Sequence, residues 1–323
     1  MTRPFRFSAT PALTVRDAID YRDALRRLED TGFTSAVLAD HFTDGWSIEP
    51  LAGLAAAAMC TSTIRLQTGV LGNDYRHPVL THRSAALVDV LSNGRLTLGL
   101  GAGWLRSDYD AAGIPMDPPG ERIARLAECV TVVTALFGDE PCTFGGNHYR
   151  ITALDGLPKP VQRPHPPILL GGGSPRMLRL AGAVADVVGV NASLRAGALG
   201  AHAVHDLLLD RVVEKLSWVR AGAARAGRAD EDYEIEMNVW LVRVTASATQ
   251  AATYLENVAA RYDVAPDILA TSPGVLVGTA DQCVDALLRR REDLGINRWQ
   301  LDAGMSTPDL RAVAPIVEKL AGA

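Results

Sequence analysis

The run Ala36-Val37-Leu38-Ala39 is apolar, and it ends in Asp40 and His41 side by side. An interior strand has no use for an acid and an imidazole, whereas a strand that opens into a reaction site does. Histidine titrates near neutrality, so His41 is a candidate base or hydrogen-bond partner for a substrate proton. Asp108, in "GWLRSDYD", is a second candidate. A helix starting there puts Trp104 and Asp108 on one side, although the helix macrodipole alone also favours an acid at that point. "LLGGGSPRML" carries a different chemistry. Glycines bring the backbone close to a ligand, Ser174 is a good N-cap, and Pro175 suits a first helical turn. The free N–H groups at such a helix start are suited to a phosphate; a tight turn without ligand has the same signature. His202 and His205 lack acidic company, so no metal site is expected. The chain has no GxSxG and no HExxH, which leaves acyl-transfer and zincin chemistry without support.

Something must place these residues together. Short strand-like runs alternate with helix-like ones from end to end: Phe5–Ala9, Ser35–Ala39, Ile64–Leu71, Arg95–Ala102, Pro167–Gly171, Asp186–Val190, Glu234–Val244 and Asn297–Asp302. Between them, Asp17–Asp30, Glu121–Phe137, Leu207–Val219 and Asp281–Leu294 have amphipathic helical spacing. Parallel strands need crossover helices, so eight such units predict an α/β fold, a (β/α)8 TIM barrel forming a single domain over residues 1–323. An open doubly wound sheet would usually carry a glycine-rich turn after its first strand, and none is there. Two insertions are expected. One follows the fourth strand, with a hairpin turning at Gly145-Gly146-Asn147; the other follows the sixth, where Asn191–Asp206 reads as a mobile loop covering a site. One face of the strands is polar: Arg6, Ser8, Arg65, Gln67, Thr97, Gly99, Gly101, Asn238, Gln300 and Asp302. Facing the lumen, these residues make a hydrogen-bonded interior under a polar ligand.

Barrel active sites are built at the C-terminal strand ends. Here those ends supply Asp40-His41, Gly72-Asn73, Gly103-Trp104, Gly172-Gly173-Ser174 and Asn191, all converging on one rim. The rest of the chain limits the function classes. Net charge is −5 and the basic residues are scattered, which gives no electrostatic footprint for nucleic acid. The longest apolar stretch, Leu51–Cys60, is too short for a membrane span. Cys60, Cys129, Cys142 and Cys283 form no CxxC pair and read as ordinary thiols of a reducing cytoplasm.

Together these residues resemble the luciferase-like monooxygenase superfamily, flavin- and deazaflavin-dependent (β/α)8 barrels. The resemblance runs through "GFTSAVLADHF", "IRLQTGVLGNDYRHPVLTHRSAALVDVLSNGRLTLGLGAGW", "PHPPILLGGGSPRMLRLAGAVADVVGVN" and "VLVGTADQCVDALLRRREDLGINRWQL". Within it the chain looks most like the coenzyme F420-dependent oxidoreductases, with reduced FMN and oxygen chemistry as the alternative and a non-catalytic barrel as a third reading. The resemblance implies that Asp40 and His41 are the acid–histidine pair beside the deazaflavin ring, with histidine the base on a substrate hydroxyl. It implies that Gly72 and Asn73 form the third-strand bulge, often with a non-proline cis peptide, that supports the ring. Gly172, Gly173 and Ser174 match the loop that receives the cofactor phosphate, with Gly103, Trp104 and Asn191 also expected at the cofactor. Trp46 matches an aromatic residue near the substrate. Asp108 falls where relatives commonly carry glutamate, a proposed proton donor to the ring, which puts His41 and Asp108 forward as the catalytic pair. Arg76, with His77 and Arg106, is placed to meet an anionic substrate or the polyglutamate tail of F420. The expected partners are a small-molecule substrate and a second copy of the chain in a homodimer.

Overall fold

In the computed structural model the polar and apolar alternation of the strands resolves into two faces of one closed sheet. The structure describes residues 3–11, 14–43, 45–194, 201–301 and 310–323. Eight parallel strands form the barrel: β1 (Arg6–Ala9), β2 (Ser35–Leu38), β3 (Arg65–Thr68), β4 (Leu96–Gly101), β5 (Ile168–Gly172), β6 (Val187–Val190), β7 (Glu234–Asn238) and β8 (Ile296–Gln300). Their order is β3-β2-β1-β8-β7-β6-β5-β4, and pairing of β3 with β4 closes the ring. The crossovers are helical: α1 (Ala18–Asp30), α2 (Pro50–Cys60), α3 (Pro78–Leu91), α4 (Arg106–Ala112), α5 (Pro119–Phe137), α6 (Pro175–Val184), α7 (Ala201–His205) and α8 (Leu209–Arg225). Local chemistry explains their starts. Asp17 caps α1 by accepting from the Ile19 and Asp20 amides at 2.9 and 2.8 Å, and Ser174 caps α6 through the Met177 amide. Leu25 and Leu28 of α1 are fully buried, and each such side chain contributes roughly 2 kcal/mol of burial.

Register fixes which residues face inward. Arg6 lies opposite Arg298, Ser8 opposite Gln300, Gln67 opposite Thr97, and Asn238 opposite Gln300. The expected polar face is therefore one face, except for Asp302, which lies outside the described residues. The same alternation adds Glu234, Glu236 and Arg298. Arg298 donates to Glu234 Oε2 at 3.0 Å, Glu236 Oε2 at 3.1 Å and Gln67 Oε1 at 2.9 Å; Gln67 returns a bond to Glu236 Oε1 at 2.8 Å. Charges out of water persist only when paired in this way.

Two features differ from the sequence-based expectation. The seventh strand stops at Asn238. Leu241–Val244 leaves the barrel and pairs in parallel with Val275–Gly278, enclosing α9 (Ala248–Tyr262) and α10 (Pro266–Thr271). An insertion thus follows β7 as well as β4 and β6, over its own small core of Val204, Ala259, Leu269 and Val275. The cis peptide bond of the third strand lies at Gly69–Val70, three residues before Gly72-Asn73. The hairpin after β4 is Cys142–Gly145 with Arg150–Leu154, its turn held by Glu128, whose carboxylate accepts from the Asn147, His148 and Tyr149 amides. Part of the loop expected to cover the site, residues 195–200, lies outside the described residues. Among the described residues no helix is long and apolar enough to cross a membrane.

Glu29, at the end of α1, ties that helix to the start of β3. Its Oε1 accepts from the Ser62, Thr63 and Ile64 amides and the Thr63 hydroxyl. Partial burial pushes its carboxyl up, but these bonds outweigh it and hold the pKa at about 2. Stability from a depressed carboxylate is full above its unfolded pKa and is lost as pH falls through the folded one. Glu29→Gln should therefore lower the melting temperature by roughly 1–3 °C near neutrality, with the gap to wild type narrowing as pH falls below the ordinary glutamate value of about 4.3. Thermal melts across that range check it; a gap that stays constant contradicts it.

Candidate active site

The C-terminal rim places His41 at the centre of three contacts. Its Nδ1 lies 2.6 Å from Asp108 Oδ2. Its ring is 5.5 Å from Trp46, tilted, and 5.5 Å from Trp104, edge-on at 81°. Trp46 stands in the loop after β2, and Trp104 directly precedes α4, which carries Asp108. The His41 side chain keeps 16% exposure, whereas that of Asp108 has none. The imidazole is therefore partly exposed at the rim, and its Nε2 has no hydrogen-bond partner among the described residues.

Asp108 is fully buried, with both oxygens occupied by groups of the chain itself. Its Oδ1 accepts from the Phe42 amide at 3.1 Å, the Thr43 amide at 3.0 Å and the Thr43 hydroxyl at 2.7 Å. Burial alone pushes this carboxyl up. Bonds from His41, Thr43 and Phe42 more than offset that and leave it below the usual aspartate range, hence ionised. Thr43 is the residue that sequence reasoning missed; the only hint was a hydroxyl two positions after the histidine.

Asp40 does not touch His41. Both its oxygens bind the Arg76 guanidinium, and Oδ2 also accepts from the Gly72 amide at 2.9 Å. Arg76 spends its remaining reach on Glu49 Oε1 at 2.8 Å, and Glu49 caps α2 through the Ala52 amide. Arg76, expected to meet an anionic substrate, is thus committed to joining the loops after β2 and β3. Arg106 pairs with Asp110 on the exposed side of α4, and His77 caps α3 through the Val79 amide. Asn73 is buried and donates to the Tyr149 hydroxyl of the hairpin at 3.4 Å, so it joins the hairpin rather than the lumen. Gly103 adopts φ +73°, and a β-carbon there would collide with the Tyr109 hydroxyl; Arg122 holds the Ala102 and Gly103 carbonyls. Its glycine is explained by the fold alone.

The opposite side of the rim is open. Val70 projects over Gly99 and Gly101. Gly171 pairs laterally with Gly189, and the Asn191 carboxamide lies beside both. A β-carbon built on Gly171 would sit 3.5 Å from Asn191 Nδ2 and 3.6 Å from Val70, ordinary contact distances. The space above Gly171 is therefore not required by the protein's own packing. Asn191 Nδ2 and Oδ1 have no protein partner among the described residues, while its amide bonds Gly172 O at 2.9 Å. Next along the chain come Gly173 and Ser174 at the start of α6. The Gly173 carbonyl accepts from Lys215 Nζ at 2.7 Å, and Lys215, fully buried, also binds Asp206 at 2.6 Å. Asp206 in turn accepts from the Ser193 amide at 2.7 Å, so one ion pair sets both loops. Burial pushes the Lys215 ammonium down, and Asp206 opposes it. This lysine was legible in principle: it lies three residues after Val212 on the apolar stripe of α8.

The Asp40 side chain is 2% exposed. Removing its partner strands a buried charge, so Arg76→Ala should cost about 3 kcal/mol in urea denaturation. An arginine serving only a substrate would leave the unfolding midpoint in place.

The comparisons with known proteins agree with this geometry. A family model described as luciferase-like monooxygenase matches residues 3–298. The chain is 28% identical over 173 residues to an FMNH2-dependent dimethylsulfone monooxygenase of Pseudomonas putida, covering 52% of this chain and 47% of that one. It is 32% identical over 171 residues to an F420-dependent glucose-6-phosphate dehydrogenase of Intrasporangium calvum, covering 50% of each. The chain thus spans about half the length of the curated relatives it matches. The fold is shared with a coenzyme F420-dependent tetrahydromethanopterin reductase of Methanopyrus kandleri, at a TM-score of 0.75, 18% identity and 99% coverage of both chains. Closed barrel, rim and family model lead to one conclusion: the chain belongs to the luciferase-like monooxygenase family of oxidoreductases.

Proposed function

We propose that this protein is an F420-dependent oxidoreductase that moves a hydride between the deazaflavin and a small organic substrate. The observation that carries the reading is the juxtaposition of His41, held between two tryptophans, with an open glycine floor across the same rim. The floor fits a planar ring: Gly171 leaves space that its own neighbours do not need, Val70 backs it, and the Asn191 carboxamide is free to bond a ring edge. The glycine loop and first turn of α6 offer backbone N–H groups to a phosphate.

Bound F420 supplies a two-electron hydride carrier. The chain supplies the rest. Gly172, Gly173 and Ser174 would hold the cofactor's phosphate, Lys215 and Asp206 hold that loop in shape, and Trp46 and Trp104 flank His41. With a hydroxyl substrate in place, His41 Nε2 would take the hydroxyl proton, and would return it in the reverse direction. Holding donor and acceptor in one geometry accounts for much of such a rate enhancement. The alternative, reduced FMN with oxygen, is favoured by the similarity to the Pseudomonas putida monooxygenase, since floor and phosphate loop serve either ring.

We also propose that the enzyme is a homodimer. α2 (PLAGLAAAAMC) has no charged residue, and its outer face continues into α3 through exposed Met59, Leu80, Leu87, Val90 and Leu91. Arg83 is the one charged side chain exposed on these two helices. A patch of this kind is the mark of an interface.

Equilibrium titration with F420 and with FMN, followed by cofactor fluorescence, tests the functional reading. The expected result is micromolar binding of F420, far weaker binding of FMN, and hydride exchange with alcohols, aldehydes or activated alkenes. Tighter FMN binding with oxygen consumption would make it a monooxygenase instead. Gly171→Ala should leave the melting temperature unchanged yet weaken F420 binding at least about tenfold, a cost of about 1.4 kcal/mol. Unchanged affinity in that variant would remove the ring from the floor.

A further inference from the structure

We infer that Asp108 is a positioning residue that fixes the tautomer of His41, so that the neutral imidazole carries its hydrogen on Nδ1 and presents a bare Nε2 to the active site. The inference follows from counting hydrogens around one carboxylate. Oδ1 faces three groups: the Phe42 amide, the Thr43 amide and the Thr43 hydroxyl at 2.7 Å. The two amides can only donate, so Oδ1 carries no proton. The Thr43 hydroxyl, 3.0 Å from Ser107 Oγ, has a second neighbour; with its own hydrogen given to the carboxylate, it accepts the one from Ser107. Among the described residues Oδ2 has a single partner, His41 Nδ1 at 2.6 Å. Two lone pairs cannot face each other at that distance, so a hydrogen lies between Nδ1 and Oδ2, and the ionised carboxylate assigns it to nitrogen.

Among the described residues no other acid competes for the imidazole. Asp40 is taken by Arg76 and the Gly72 amide. Asp74 accepts from the Tyr109 hydroxyl at 2.8 Å and from Arg125 at 2.6 Å. Tyr75 packs against Phe42 and Tyr109, with its own hydroxyl held above the ordinary tyrosine value by burial and by Asp108. Glu49 is bound to Arg76. Donation therefore converges on the Asp108 carboxylate, from Ser107 through Thr43 on one side and from His41 Nδ1 on the other, and the far nitrogen of the ring is left as an acceptor. A bare Nε2 can take a proton from a hydroxyl; the opposite tautomer, with Nε2–H, cannot. The consequence for turnover rests on the functional reading above, while the tautomer itself does not.

The test separates the two. Nitrogen-15 NMR of histidine-labelled protein without cofactor, in alkaline solution where imidazoles are neutral, reports which ring nitrogen bears hydrogen; His41 is assigned by its loss in His41→Gln. The expected spectrum has a protonated Nδ1 and a bare Nε2. In Asp108→Asn the amide oxygen keeps the Phe42 and Thr43 donors, its NH2 faces the ring, and the tautomer inverts. Turnover in that variant should fall by roughly 10³–10⁴, as for the analogous amide substitution beside a catalytic histidine, with F420 affinity unchanged. A wild-type Nε2–H form overturns the inference, and so does an Asp108→Asn variant with the wild-type tautomer. If that variant does not fold, the wild-type spectrum alone decides. A wild type with the expected tautomer but no hydride transfer to any substrate supports the inference and counts against the functional reading only.

Discussion

A closed barrel of eight strands encloses a space that side chains must fill, and here the filling is charged. Arg298 stands inside the sheet with Glu234, Glu236 and Gln67 around it. Burying any of these alone would cost several kcal/mol. As a group they satisfy one another, and Gln67 closes the circuit by contacting both Glu236 and Arg298. The barrel's shape higher up depends on this arrangement. With the lower lumen plugged by long polar side chains, the strands can end in glycines at the mouth without leaving the interior hollow. Val70 and the Thr68 carbonyl cover Gly99 and Gly101, while Gly171 across from them keeps room for a β-carbon.

Around that depression, several acids that look chemical are structural. Asp40 ties the loop after β2 to Arg76, Asp74 ties the loop after β3 to Tyr109 and Arg125, and Asp206 ties the loop after β6 to Lys215. Asp40 and Asp74 each bond a loop belonging to one strand to an element belonging to another, whereas Asp206 holds Lys215 of its own crossover, whose ammonium reaches the Gly173 carbonyl after β5. The rim is thereby assembled by charge-assisted bonds between segments that share no backbone pairing. His41 is the exception in exposure rather than in kind, since it too is held by an acid but keeps one ring edge outside.

The sequence made the strands legible, and period-two alternation in β1, β3, β4, β7 and β8 made their inward faces legible too, since the lumen residues chosen from them, Asp302 aside, share one face. It did not make the partnerships legible. Asp40 and His41 are neighbours in the chain, and near a strand end successive side chains point to opposite sides. Their adjacency therefore argues against contact, and the acid that does reach His41 comes from Asp108 on another element. Likewise Arg76 looked free because Asp40 and Glu49 lie far from it in the chain. The seventh strand was read too long because Val239-Trp240-Leu241 continues the β-forming composition past the point where the chain leaves the barrel. Periodicity reports the element to which a residue belongs; it carries no information about ion pairs between elements.

Two rim glycines illustrate how alike unlike constraints can look. Gly103 has a left-handed backbone and a hydroxyl pressed against it, so chain geometry forbids any side chain there, whatever the protein binds. Gly171 has an ordinary backbone and room for a methyl group. Selection on the first acts through folding and would persist in a descendant that had lost all activity. Selection on the second acts only through whatever occupies the mouth. In a set of related sequences, drift at Gly171 beside an unchanging Gly103 would thus mark lineages in which the barrel outlived its ligand.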